Sequence, residues 1–249
     1  MRTAQFKRWD PLDYSGSEAI NTICSNLSFA GRDVRKVVLT SCESGDGKSY
    51  LSIHIAYNMA LRGKKVILVD CDLRKSNLVS RYNITTTGEM TGLVHYLAGH
   101  NPLDEVVYTT NIANLSLIPT GRDIANPIPL LLSSAFSELL NYLSKIYDLV
   151  VVDAPPVGLV IDAAEIARCC DGIILVAKHG QTHRRDLQNA KQQLLQTGTP
   201  ILGCVLNDVS FEGISAKKYY NKSYYSHYGS YYRKRGRADD QESQESKEE

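Results

Sequence analysis

Ser41-Cys42-Glu43-Ser44-Gly45-Asp46-Gly47-Lys48-Ser49 decides how this chain is read. It follows an apolar run, Val37-Val38-Leu39, and a helical pattern begins after Gly47. Glycines let the backbone curl so that successive N–H groups face an anion, and the following helix adds its positive dipole end. In such a P-loop, Lys48 reaches the β and γ phosphates and the Ser49 hydroxyl ligates Mg2+. One position departs from the usual pattern: Cys42 stands where a first glycine is expected.

Two further apolar runs end in acid. Val66-Ile67-Leu68-Val69 leads into Asp70-Cys71-Asp72-Leu73-Arg74, and Leu149-Val150-Val151-Val152 leads into Asp153-Ala154-Pro155-Pro156. Short, continuously apolar runs suit parallel strands covered on both faces. Acids at their carboxyl ends, beside a phosphate loop, are what a Mg-nucleotide site needs. Residues two apart on a strand point to one side, so Asp70 and Asp72 are expected to face one ligand if the strand persists. The expected cradle is Ser44, Gly45, Asp46, Gly47, Lys48, Ser49 and Tyr50. Lys48 and Mg2+ neutralise the phosphates of ATP, while Ser49, Asp72 and Asp153 hold the Mg2+ directly or through water. Asp70 is the expected base, although Asp70 and Asp72 could exchange roles.

Outward from the loop, Ile20, Ile23, Leu27 and Ala30 predict a helix over 15–30, stopped by Gly31. Strands are expected at 36–41, 65–70, 115–119, 149–153, 173–177 and 201–206. Helices are expected at 47–61, 93–98, 136–146, 161–168 and 183–196, with another after Asn126-Pro127-Ile128-Pro129. The alternation predicts an α/β fold, a doubly wound and mostly parallel sheet of the P-loop NTPase type with helices on both faces. Residues 1–14 read as an amino-terminal arm, ordered or loose, residues 15–208 as the P-loop domain, and residues 209–249 as a tail.

Bulk properties agree with a globular body. The 249 residues are 43% hydrophobic and 22% charged, with a net charge of +1. That balance argues against a general polyanion binder, and nucleic acid is not an expected partner. Six cysteines and six histidines show no metal-ligand spacing, so the thiols read as reduced core residues. No apolar stretch reaches the ~18 residues of a spanning helix, and Met1 to Trp9 lacks the apolar core of a signal peptide. A cytoplasmic protein, recruited to the membrane by a partner, is the expectation.

After Asn207 the composition changes. Tyr219, Tyr220, Tyr224, Tyr225, Tyr228, Tyr231 and Tyr232 are interleaved with Lys, Ser, Asn and Gly, followed by the basic run Arg233 to Arg237 and an acidic end. Without aliphatic residues such a stretch cannot bury enough surface to fold alone, and it reads as a disordered tail.

The P-loop, the acidic pair at 70 and 72, the Val151-Val152-Asp153-Ala154-Pro155-Pro156 run, Asp162-Ala163 and the terminal tyrosines together resemble the bacterial tyrosine kinases of capsular and exopolysaccharide synthesis, the CpsD/CapB type. The resemblance covers roughly 15–207 and the tail. It implies a sheet related to division-site and partition ATPases, ATP with Mg2+ as cofactors, and autophosphorylation of the seven tail tyrosines. It also implies a membrane-embedded activator that sets polysaccharide chain length, and self-association into a homo-oligomer. The family's early helix carries Glu-x-x-Arg-x-x-Arg; here Glu18 is followed by Asn21 and Cys24, so both arginines are absent. Asn207 resembles the residue that reads the adenine amide edge. Two rivals remain: a partition-type ATPase, whose signature lysine would fall where Glu43 stands, and a nucleotide-sensing scaffold without turnover.

Overall fold

The computed structural model describes residues 2–31 and 33–209. Its first half runs β1 (Arg2–Phe6), α1 (Tyr14–Phe29), β2 (Lys36–Ser41), α2 (Lys48–Leu61), β3 (Val66–Asp70), α3 (Leu78–Arg81), β4 (Ile84–Thr86), α4 (Leu93–Leu97), α5 (Leu103–Val106), β5 (Tyr108–Thr110) and β6 (Leu115–Ile118). Its second half runs α6 (Ile128–Leu131), α7 (Ser134–Ile146), β7 (Leu149–Asp153), α8 (Asp162–Ala167), β8 (Gly172–Lys178), α9 (Arg184–Leu195) and β9 (Ile201–Asn207).

The strands form one sheet in the order β4-β1-β5-β6-β3-β7-β2-β8-β9. Every pairing is parallel except β1 with β4 and β5 with β6. Side chains alternate between faces along each strand. Ile67, Val69, Val150 and Val152 therefore join one core, while Val66, Leu68, Leu149 and Val151 join the other. Helix α7 covers the first core with Phe136, Leu139, Leu140 and Leu143. Helices α1 and α2 cover the second with Ile20, Leu27, Leu51 and Ile55. Truncating a residue as buried as Phe136 to Ala costs about 3–5 kcal/mol. A doubly wound, mostly parallel sheet is thus what the alternating pattern produces.

The inner strands β3, β7 and β2 lie side by side, and their carboxyl ends coincide. Asp70 of β3 is the direct register partner of Asp153 of β7, which in turn lies opposite Leu39 of β2. This register brings the two acidic strand ends to the turn that follows β2.

Two readings of the sequence need correction. The arm expected at 1–14 is, over its described residues, part of the α/β body: β1 lies within the sheet, pairing antiparallel with β4 and parallel with β5, in the compact unit that ends at Asn207. Trp9 then packs on α2 against His54 and Tyr57, at ring-centroid distances of 5.1 and 4.5 Å. Second, β3 stops at Asp70 and the chain turns over 73–75. The two-residue alternation therefore does not extend to Asp72, and the two acids do not share a strand face.

Candidate active site

Helix α2 begins immediately after the glycine turn, and Gly45 and Gly47 both adopt positive φ, at 91° and 98°. No side chain caps the helix, so its first N–H groups are left for an anion. Ser44 and Gly45 are exposed at the crown of the loop, while Asp46 is buried. The Asp46 carboxylate accepts from the Glu43 N–H at 2.9 Å and from the Thr182 hydroxyl at 3.2 Å. The Asn207 amide Nδ2 donates to the Asp46 carbonyl at 2.9 Å. Asn207 and Thr182 thus brace the loop from the β8–β9 side of the sheet. Their sequence distance hides this role. Tyr50 turns its ring away from the loop, onto His54 at 4.3 Å and beneath the Arg81 guanidinium at 5.1 Å.

Lys48 points into the acids rather than out of the loop. Its Nζ lies 2.9 Å from Asp72 Oδ2, 3.9 Å from Asp153 Oδ1 and 3.2 Å from Ser49 Oγ. Burial works against the Lys48 charge, but Asp153 and Asp72 outweigh it and hold its pKa above the usual lysine value. Burial likewise pushes Asp153 above the ordinary carboxylate range, opposed by Lys48 and the Ser49 hydroxyl. The Ser52 hydroxyl donates to Asp153 Oδ1 at 3.2 Å.

Asp70 lies deeper and is fully buried. Burial, then the neighbouring Asp153, raises its pKa, against the pull of the Ser76 hydroxyl that donates to it. The Asp72 N–H also donates to Asp70 Oδ1, at 3.3 Å. Asp72 therefore faces Lys48 at the rim, with Asp70 behind it. Neither Ser52 nor Ser76 belongs to a recognisable motif, and only the fold shows them as partners of the acids.

The loop after β7 closes the other wall. The Thr40 hydroxyl donates to the Pro155 carbonyl at 2.7 Å, and the Val157 N–H donates to the Ser41 carbonyl at 2.9 Å. A Cβ on Gly158 would overlap the Cys42 carbonyl, so the Pro155-Pro156-Val157-Gly158 segment packs against the backbone that enters the P-loop.

The donor set fits a hard cation. One ammonium group already draws oxygens of Ser49, Asp72 and Asp153 around it, and these are the atoms a magnesium ion would use. Among the described residues no cluster of three or more His, Cys, Asp or Glu is gathered to hold a metal unaided. Mg2+ is ordinarily held by one or two carboxylates together with phosphate oxygens and water.

A glycine cradle at the carboxyl edge of a parallel sheet, with its lysine among strand-end acids, defines a P-loop nucleotide-binding enzyme. Residues 34–194 match the family described as an AAA domain. The chain is 37% identical over 193 residues to the tyrosine-protein kinase CpsD of Streptococcus agalactiae, covering 78% of this chain and 82% of that one. It is 31% identical to a putative tyrosine-protein kinase CapB of Staphylococcus aureus, covering 86% and 90%. The kinase domain of the Escherichia coli tyrosine kinase ETK superposes with a TM-score of 0.75 at 30% identity, covering 80% and 78%. The chain therefore belongs to the CpsD/CapB-type bacterial tyrosine kinases.

Of the residues named from sequence, the structure brings together Lys48, Ser49, Asp70, Asp72 and Asp153, with Asp46 and Asn207 alongside. The tyrosines at 219–232 lie outside the described residues. On α1, Cys24 is buried, so that position faces the core, and the Arg62 guanidinium of the α2 end reaches Asn21 Oδ1 at 3.2 Å. No helix among the described residues is long and apolar enough to cross a membrane.

Proposed function

We propose that this kinase binds Mg-ATP at the P-loop and transfers the γ-phosphoryl group to the tyrosines at 219–232 of a second copy. The observation that carries the reading is the convergence of Ser49, Asp72 and Asp153 on the Lys48 ammonium. When bound, Mg2+ would supply charge neutralisation of the β and γ phosphates, held by Ser49, Asp72 and Asp153. The N–H groups of the 44–49 turn cradle the phosphates, and Lys48 leaves the carboxylates to pair with phosphate oxygens. Asn207 presents its amide to the adenine edge. The phenol oxygen forms the new P–O bond as the bond to the β-phosphate oxygen breaks, and its proton passes to the Asp70–Asp72 pair, either of which can act as the base. Because the transition state is loose in most analyses, positioning and charge neutralisation carry most of the acceleration.

The tail acts as substrate and switch. Lys217, Lys218, Lys222 and the Arg233–Arg237 run draw it towards an acidic site, and each phosphotyrosine adds about −1.5 to −2 charges. Multiple phosphorylation reverses its sign and expels it, opening the assembly. A membrane-embedded regulator of polysaccharide chain length would recruit the kinase to the inner face of the membrane, where it governs capsular or exopolysaccharide synthesis. Glu43, exposed on the loop in place of a clamp lysine, disfavours a partition-type ATPase.

Incubating the full chain with labelled ATP, with and without Lys48→Met, tests the reading. Label on tyrosine that disappears in the variant supports it. Free phosphate without phosphotyrosine would point to an ATPase, and binding without either to a scaffold. Phosphotyrosine that survives replacement of all seven tail tyrosines by Phe would remove the tail as acceptor.

A further inference from the structure

Asp162 opens α8 as a buried carboxylate, its side chain only 1% exposed. Its two oxygens take a guanidinium side-on: Arg74 Nε donates to Oδ2 at 2.7 Å and Nη2 donates to Oδ1 at 3.0 Å. The remaining Nη1 donates to the Ala125 carbonyl at 2.7 Å. Beside it, the Ile124 N–H donates to the Leu73 carbonyl at 2.8 Å. One arginine thus joins three segments of the site rim: the turn after β3, the 119–127 loop and the start of α8.

Arg74 lies two residues beyond Asp72, close enough for the two charges to act on each other. Asp72 is already divided between Lys48, at 2.9 Å through Oδ2, and the Lys75 N–H, at 3.3 Å through Oδ1. An arginine stays charged at any working pH and suits a carboxylate fork. Released from Asp162, it would have Asp72 as its nearest carboxylate along the chain. Paired there, it would occupy the oxygens that a metal needs.

We infer that Asp162 is a positioning residue for phosphoryl transfer: by holding Arg74 in a two-pronged bond, it keeps the guanidinium off Asp72 and leaves that carboxylate open to Mg2+. The inference rests on the proposed metal role of Asp72, and its test separates the two. A structural support would be lost equally by removing either partner. A guard is different, since removing the released arginine restores what loss of the guard took away.

The test measures equilibrium binding of a fluorescent ADP analogue to the full-length protein while Mg2+ is titrated. Asp162→Asn keeps the shape and removes the charge. It should raise the Mg2+ concentration giving half-maximal enhancement of binding by about tenfold, within the range of such supporting changes. Binding in EDTA should be unchanged. Asp162→Asn combined with Arg74→Met should return the Mg2+ midpoint to within about threefold of the parent, a difference well inside the factor of ten that ~1.4 kcal/mol represents. An equal rise in single and double variants, or no rise in either, overturns the inference. If Asp162→Asn does not fold, Arg74→Lys serves instead, because one ammonium cannot span both oxygens; a parental Mg2+ midpoint there overturns it. Should Asp72→Asn leave the Mg2+ midpoint unmoved, the metal assignment fails, and this inference with it.

Discussion

The side-chain amide of Asn207, at the end of β9, sits where a Cβ on Gly47 would have to go, and donates to the carbonyl of the adjacent Asp46 at 2.9 Å. A residue far off in sequence thereby fixes the shape of the glycine turn. Gly47 also holds φ at 98°, a region that costs a side chain about 1–2 kcal/mol. Gly47→Ala should therefore abolish ADP binding at concentrations that saturate the parent and lower Tm by several degrees. Asn207→Ala, which loses one brace without strain, should weaken ADP binding by about tenfold, or ~1.4 kcal/mol. Calorimetric titration of both variants checks the ranking, and equal affinities would remove the brace.

Asp70 should stabilise the fold less than its position suggests. Its carboxyl is buried beside Asp153 and titrates above the ordinary range. A carboxyl whose folded pKa exceeds its unfolded one favours folding while protonated, and that benefit disappears as pH rises through the folded value. Asp70→Asn should thus raise Tm relative to the parent, more at pH 8 than at pH 5, while phosphotyrosine formation is lost. Thermal melts across that range decide the matter; a Tm deficit that grows with pH would show that Asp70 is stabilised by its charge.

His54 sets a second pH dependence, of opposite sense. Neither ring nitrogen has a hydrogen-bond partner among the described residues, and burial pushes its pKa from 6.5 down to about 4. The unfolded chain takes up this proton more readily, so stability falls as pH drops below 6.5, with the loss complete near pH 4. Trp9, the single tryptophan of the chain, packs edge-on to this ring. In the folded protein the ring takes up its proton only around pH 4, so the emission of Trp9 should be quenched there, and His54→Phe should remove the quenching and flatten the stability loss. Fluorescence that titrates identically in the variant would assign the limb to another group.

Gly158 belongs to no nucleotide motif, yet a Cβ there would overlap the carbonyl of Cys42. Gly158→Ala should displace the entrance to the P-loop and weaken ADP binding several-fold without disturbing far-UV circular dichroism. Unchanged affinity would mean that the two loops yield independently.

Much of this architecture is readable from local pattern because the inner strands are continuously apolar and each ends in an acid. Val66 to Asp70 and Leu149 to Asp153 carry enough burial in five residues to announce themselves. The strand Arg2–Phe6 does not: only Ala4 and Phe6 are buried, and it forms by pairing with residues 84–86 and 108–110, three-residue strands that carry no signal of their own. The orientation of Asp72 is not legible locally, because where β3 stops depends on the turn at 73–75 and not on the run before it. The bonds Arg74–Asp162, Thr182–Asp46 and Asn207–Asp46 join residues 88, 136 and 161 positions apart. Such relationships arise from strand order in the sheet, and no window along the chain contains both partners.

Strand β1 has a consequence for how the molecule is made. It is held on both sides by β4 and β5, strands translated only after it, so this part of the sheet must wait, open, while the chain grows. Any tag or leader fused ahead of Arg2 would sit beside that unfinished seam. The cost should appear as slow maturation in the cell, even where the finished kinase tolerates the addition.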